Sequence, residues 1–406
     1  MPGEKQKKMI INTAYTMGGA LLMNGILQLV IYPLLNRFMG SDQLGRLLYI
    51  MGLAAILCPS VGQALNNSRL VVRREYAVKN GDYNRILLLF GALGCTAAVV
   101  IAADSIASPG EGILAVILLM LTIFRYYGDV EYRLNLNYRN YFIYYAVLSA
   151  GYVLGFGAYL LTGSWYMIFL LGEGLALIYL AATGSVFGRF WEAGSFFLIA
   201  LSRGAMLVFS YLITNLTLNI DRVALKFFIG DLAVTYYYVT SLIGKTMVLL
   251  VAPVNTIIIS YLTKQKEKIG KKQFLAFVGA GGAVSAVFFI AAQIATPLFI
   301  RLFYHDLYDS VKSMITVVNL SQVLGLFSAY LFVVILTFAE EKWQLILQIL
   351  HLAVITVLVL IFTRSHGIMG FAMAVLAANV IRVAAVIILG FARAGSSKRR
   401  TETDDE

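Results

Sequence analysis

Three cations, Arg203, Lys245 and Arg382, lie inside long hydrophobic stretches of this chain. A charge at the middle of a membrane-spanning helix costs about 2.5–3.5 kcal/mol even on insertion-derived scales. Each therefore calls for a hydrated cavity, an anionic ligand or a fixed partner. Lys245 shares a helical face with Tyr238, Ser241 and Thr256, and Pro253 follows as a candidate kink. Arg382 follows Asn379 by one turn. Arg203, Ser210, Thr214, Thr217 and Asp221 fall within an arc of ~60° on one helix. For the hydroxyls, helix–helix hydrogen bonding competes with cavity lining. For Arg203, snorkelling to the nearby membrane surface competes with it.

Glu173, flanked by Gly172 and Gly174, is nearly alone as a mid-stretch acid. Two readings stay open: pairing with one of the three cations, and binding a coupling proton or Na⁺. Asn24 and Gln28 lie one turn apart, and Gln344, Gln348 and His351 share a face. His351 reads as a hydrogen-bonded helix contact rather than a proton relay.

Catalytic patterns are missing. The sequence has no GxSxG, HExxH or Walker loop and no Cys/His group at metal spacing. Cys58 and Cys95 lie in apolar segments and read as core. No catalytic residue, metal or cofactor is expected, and no nucleotide domain for an ATP-driven pump.

The elements that must position these groups are helices. The 406 residues are 60% hydrophobic and 13% charged, outside the range of a soluble enzyme. Apolar segments cover 10–35, 46–66, 86–103, 112–128, 141–162, 165–185, 198–220, 234–260, 273–298, 313–338, 344–363 and 367–391. Each is long enough to cross a ~30 Å core, and in lipid only a helix satisfies its backbone within one segment. The fold class is an all-α membrane protein of twelve transmembrane helices. The first segment is read as a span rather than a signal peptide, because no small-residue cleavage site follows it.

Charge orients the spans. With the N-terminus inside, 22 of 32 Lys and Arg fall on one side and 7 on the other. The positive-inside rule then puts both termini in the cytoplasm. The net charge of +11 reads as orientation and attraction to anionic headgroups, not nucleic-acid binding. Arg125 with Asp129 reads as a solvated cytoplasmic end. The runs Tyr141 to Tyr145 and Tyr236 to Tyr238 read as interfacial belts.

Six spans precede Gly184 to Gly194 and six follow, so the halves enter the membrane with the same polarity. They divide as lobes 1–190 and 191–394, related by a pseudo-two-fold along the membrane normal, with a disordered cytoplasmic tail 395–406. The stretch Phe38 to Tyr49 is echoed by Phe228 to Tyr238, each a Gly-containing turn into an aromatic helix start.

The stretch Asn219 to Gly230 followed by Tyr236-Tyr237-Tyr238, matched in the first half by Leu35 to Gly40, Gly45 and Tyr49, resembles the bacterial oligosaccharide flippases. These belong to the multidrug/oligosaccharidyl-lipid/polysaccharide exporter superfamily. The resemblance is diffuse and covers nearly the whole chain. It implies export of a polyprenyl-pyrophosphate-linked oligosaccharide across the bacterial inner membrane, by alternating access around a cavity often lined with cations. Lys245, Arg203 and Arg382 would suit the pyrophosphate. Asn24, Gln28, Ser210, Thr214, Thr217 and Asn379 would suit the glycan. Partners would be the lipid-linked oligosaccharide, membrane lipids and other polysaccharide-assembly proteins. A multidrug/cation antiporter of the same fold would need more acids in the spans. A membrane-embedded polymerase or ligase would need a larger outer loop.

Overall fold

The computed structural model describes residues 2–262, 270–336 and 342–394, with the side chains of 2–10, 248–262, 336, 342 and 344–345 excepted. The tail 395–406, Lys264, Lys266 and Lys268, and the side chains of Pro253, Thr256 and Gln344 lie outside the described residues.

The described chain is all-α. In the first half, α1 is Ile11–Met39, α2 Ser41–Val72, α3 Asn80–Ile101, α4 Pro109–Leu134, α5 Tyr138–Thr162 and α6 Tyr166–Thr183. Then come α7, Phe197–Phe228; α8, Asp231–Leu262; α9, Lys271–Phe303; α10, His305–Ile335; and α11, Lys342–Arg393. Among the described residues, ten candidate spans are long and apolar enough to cross a membrane, so the protein is multi-pass. The helices overrun their apolar windows. Residues 46–66 became Ser41–Val72, because polar ends keep winding beyond the hydrocarbon. α11 is interrupted where the sequence changes segment: His366 and Gly367 leave helical geometry.

Local chemistry sets the ends. Ser108 caps α4 by accepting from Glu111 N at 3.2 Å, Pro109 follows at the first helical position, and Glu111 accepts from Ala107 N at 3.0 Å. The echoed turns both place a glycine at positive φ. Gly40 (φ 82°) and Gly230 (φ 128°) each join two helices through a backbone conformation that L side chains rarely adopt. Among the described residues, two helices contain π turns, Ile26–Ile31 in α1 and Pro59–Gln63 in α2. The second starts at a proline, which cannot donate to the helical ladder.

The chain forms two compact units, Met1–Ala224 and Leu225–Glu406, so the division falls within α7. In the first unit α5 and α6 nearly touch: a Cβ on Gly151 would stand 2.6 Å from Gly172 Cα. In the second, Phe274 of α9 packs with Leu331 and Val334 of α10 and Leu389 of α11.

Candidate functional site

Within the second unit, α10 lies between α8 and the second arm of α11. Asn379 donates to Ser321 O at 2.9 Å and to Ser321 Oγ at 3.1 Å. The next residue, Gln322, packs on Gly244 of α8, where a Cβ would meet its own Cβ at 2.6 Å. Ile243 and Met247 pack with Ala292 and Leu326. These contacts fix the α9/α10 side of α8, and half-buried Lys245 lies ~150° around the helix from it. Tyr238 and Ser241, expected on the Lys245 face, are both buried.

Arg382 is half-buried three residues beyond Asn379. Its side chain makes no hydrogen bond or ion pair among the described residues. It shares a small crevice with His351 of the first arm, walled by Leu350, Ala378 and Ile381. His351 is 9% exposed, and its Nδ1 has no hydrogen-bond partner among the described residues. The crevice thus brings two basic groups together without a carboxylate. Gln348, expected beside His351, is exposed.

The first unit holds the other sequence-derived candidates. Gln28 donates to Asn24 Oδ1 at 3.4 Å, and Asn24 donates to Ala20 O at 2.8 Å. Both are half-buried and flank the start of the α1 π turn. Ser210 and Thr214 are exposed and Thr217 is half-buried. Thr214 donates to Ser210 O at 3.1 Å and Thr217 to Ile213 O at 2.8 Å, so these hydroxyls bond their own helix.

The α7 contacts that cross to α2 lie on a different stripe. Tyr211 OH accepts from Asn67 at 2.6 Å, Asn215 donates to Ser60 Oγ at 3.0 Å, and Arg222 packs on Gly52. That stripe is ~100° from the Ser210–Thr217 face. The sequence reading missed it because Tyr211 and Asn215 lie among apolar neighbours. Their spacing of one turn was the available signal. Arg203 pairs with Glu75 at 2.8 Å and lies 5.4 Å from the Tyr76 ring centroid, with 41% of its side chain exposed. It stands beside the loop after α2, as snorkelling requires.

Glu173 is paired, with a cation the sequence reading placed elsewhere. Arg125 Nε donates to Glu173 Oε2 at 2.7 Å, and Tyr152 OH donates to Glu173 Oε1 at 3.1 Å. Arg125 and Asp129 are 3% and 6% exposed, which corrects their reading as a solvated end. The reason is local neutralisation. Glu173 meets Arg125, while Asp129 accepts from Asn66 and, at 3.1 Å, from Tyr145. Arg133 donates to Asn66 and Asn67, each at 3.0 Å. The tyrosines need the same correction. Tyr144, Tyr145, Tyr237 and Tyr238 are buried within the protein rather than set on its lipid-facing surface. Tyr144 OH donates to Arg125 O at 3.3 Å, so its hydroxyl is satisfied inside the helix bundle.

No protein-family model matches the sequence, and no curated protein matches it. Solved structures do match. An inward-facing multidrug resistance MATE family transporter of the MOP superfamily aligns at TM-score 0.63 and 16% identity, covering 94% of each chain. The lipid II flippase MurJ, in an inward closed conformation, aligns at TM-score 0.66 and 14% identity over 93% of this chain and 87% of that one. A MATE transporter in a bent conformation aligns at TM-score 0.59 and 15% identity over 96% and 95%. These neighbours are transporters and a flippase, not enzymes. At such identities the likeness concerns the fold, and on that ground this chain has the fold of the MOP-superfamily transporters.

Proposed function

We propose that this protein flips a polyprenyl-pyrophosphate-linked oligosaccharide across the bacterial cytoplasmic membrane for cell-surface polysaccharide assembly. In this reading it has twelve spans, counting α8 and each arm of α11, with both termini cytoplasmic, and it works by alternating access. The observation that carries the reading is the His351–Arg382 crevice: a guanidinium within a spanning helix, beside a buried imidazole, with no acid in partnership among the described residues. Such a charge is retained against its cost when an anionic ligand completes it.

Arg382 and Lys245, on different sides of α10, meet the pyrophosphate at successive points of its path, and Asn379 orients the helix that carries Arg382. Asn24, Gln28, Ser210, Thr214 and Thr217 offer hydrogen bonds to sugar hydroxyls. Arg203, paired with Glu75, receives the headgroup near the membrane surface. A bare pyrophosphate cannot enter hydrocarbon, so its path is hydrated while the polyprenyl tail stays in lipid. Outward movement of each negative charge from a negative interior gains about 2.3 kcal/mol per 100 mV. No ion need be coupled, and Glu173 then serves to hold Arg125.

The fold also suits a cation antiporter. Two acids such a mechanism would use, Glu173 and Asp129, are already engaged with Arg125 and with Asn66 and Tyr145. The experiment is reconstitution into proteoliposomes with two substrates, a fluorescent polyprenyl-pyrophosphate oligosaccharide and a cationic dye. Leaflet transfer of the first without efflux of the second supports the proposal. Dye efflux driven by a proton or Na⁺ gradient, without lipid transfer, refutes it.

A further inference from the structure

The first unit has a polar pocket at the end that carries the loops after α2 and α6. Arg69, Arg73, Lys79 and Arg189 line it, against two acids, Glu131 and Glu192. Glu192 is taken by Lys79 at 2.6 Å and by Arg189 at 3.5 Å. Glu131 accepts from Asn135 at 2.9 Å.

Arg69 is 5% exposed, yet no carboxylate meets it among the described residues. It donates to Tyr127 OH at 2.6 Å and to Asn80 Oδ1, both neutral acceptors. It lies 5.8 Å and 5.9 Å from the ring centroids of Tyr83 and Tyr127. Its Nε has no hydrogen-bond partner among the described residues. The guanidinium is therefore fixed in place by neutral partners, with no carboxylate in direct contact among the described residues. The side chain of Arg73, exposed at the same pocket, makes no hydrogen bond or ion pair among the described residues. Asn80 also donates to Ser185 O at 2.8 Å and Gly188 O at 3.0 Å, which ties the loop bearing Arg189 to the pocket.

We propose that this pocket binds a phosphate-bearing anion, with Arg69 as the fixed cation and Arg73 and Arg189 closing on it. A guanidinium fork matches phosphate oxygens in geometry as well as charge. The phosphate has two possible sources, the headgroup of an anionic phospholipid and a water-soluble phosphate. The site is distinct from the crevice of Arg382, which belongs to the other unit.

The test uses the full chain in nanodiscs. Trp191 lies two residues from Arg189, and Trp165→Phe with Trp343→Phe leaves it as the single tryptophan. Inorganic pyrophosphate is titrated onto protein in phosphatidylcholine discs. In a second arm, phosphatidylglycerol is raised without added phosphate. A saturable change in Trp191 emission is expected in at least one arm, and the responding arm names the source. Arg73→Gln with Arg189→Gln, at exposed positions, should shift the midpoint at least about tenfold, as losing charge-assisted hydrogen bonds implies. Arg69→Lys, which keeps the charge but loses the fork, should weaken binding as well. No response in either arm overturns the proposal. So does a midpoint unmoved by the double substitution, or equal saturation by chloride at matched ionic strength.

Discussion

Arg125 Nε and Glu173 Oε2 stand 2.7 Å apart inside the first unit, with only 4% and 2% of their side chains exposed. The pair joins α4 to α6, and Tyr152 of α5 donates to the same carboxylate. Removing one partner of a buried pair strands the other charge. Glu173→Gln should therefore cost about 3–5 kcal/mol. Arg125→Met with Glu173→Leu should cost clearly less than either single change. Thermal unfolding in detergent checks this, and an unfolding temperature unmoved by Glu173→Gln contradicts it.

Arg382 should behave in the opposite way. It has no partner to strand among the described residues, and its charge is costly where it stands. Arg382→Met should leave the unfolding temperature equal or raise it, while lowering transport at least about tenfold, the loss of one charge-assisted contact. Parallel melting and flipping assays read the split. A large loss of stability would assign Arg382 a structural role instead.

The α2–α7 seam makes a third claim. Asn215 and Ser60 lie 3.0 Å apart at their side-chain tips, and Tyr211 meets Asn67 further along the same antiparallel pair. If transport requires α7 to move along or away from α2, a covalent tie should arrest it. Ser60→Cys with Asn215→Cys, in a chain lacking Cys58 and Cys95, should lose transport on oxidation and regain it with reductant. Undiminished transport by the crosslinked protein contradicts this. Tyr211→Phe should be mild, about 0.6 kcal/mol, as for hydrogen bonds between membrane helices.

Much of this was legible in sequence. Spans followed from apolar length, and the change of segment between 363 and 367 matches the break at His366 and Gly367. Matched glycine turns were visible as the echo of Phe38 to Tyr49 in Phe228 to Tyr238. Hidden was the partner of each charge. Arg125 looked like a boundary residue because sequence distance says nothing of Glu173, 48 positions away. Close approach of α4 and α6, where Gly128 packs on Leu180, puts that carboxylate within reach. Tyr144 and Tyr145 looked interfacial by residue type, but their hydroxyls satisfy the backbone of Arg125 and the side chain of Asp129.

The loop of Glu192 gives a pH signature. A hydrogen bond and charge from Lys79 hold the Glu192 carboxyl below its ordinary value. A lowered carboxylate contributes stability above its unfolded pKa, and that contribution is lost as pH falls through the lowered folded value. Amide exchange in residues 189–194, corrected for intrinsic rate, should therefore accelerate as pH drops below the ordinary Glu range near ~4.3. Glu192→Gln should remove the step. An unchanged step in that variant contradicts the assignment.

The central claim is that basic side chains within the spans engage a phosphorylated lipid head. The most direct measurement is the initial flipping rate in proteoliposomes of the same fluorescent polyprenyl oligosaccharide with and without its pyrophosphate, for wild type and for Lys245→Gln with Arg382→Gln. The account predicts that the wild type strongly prefers the pyrophosphate form, and that the variant loses most of that preference while remaining folded. Equal rates for the two lipids in the wild type, or a variant as fast and as selective as the wild type, would contradict it.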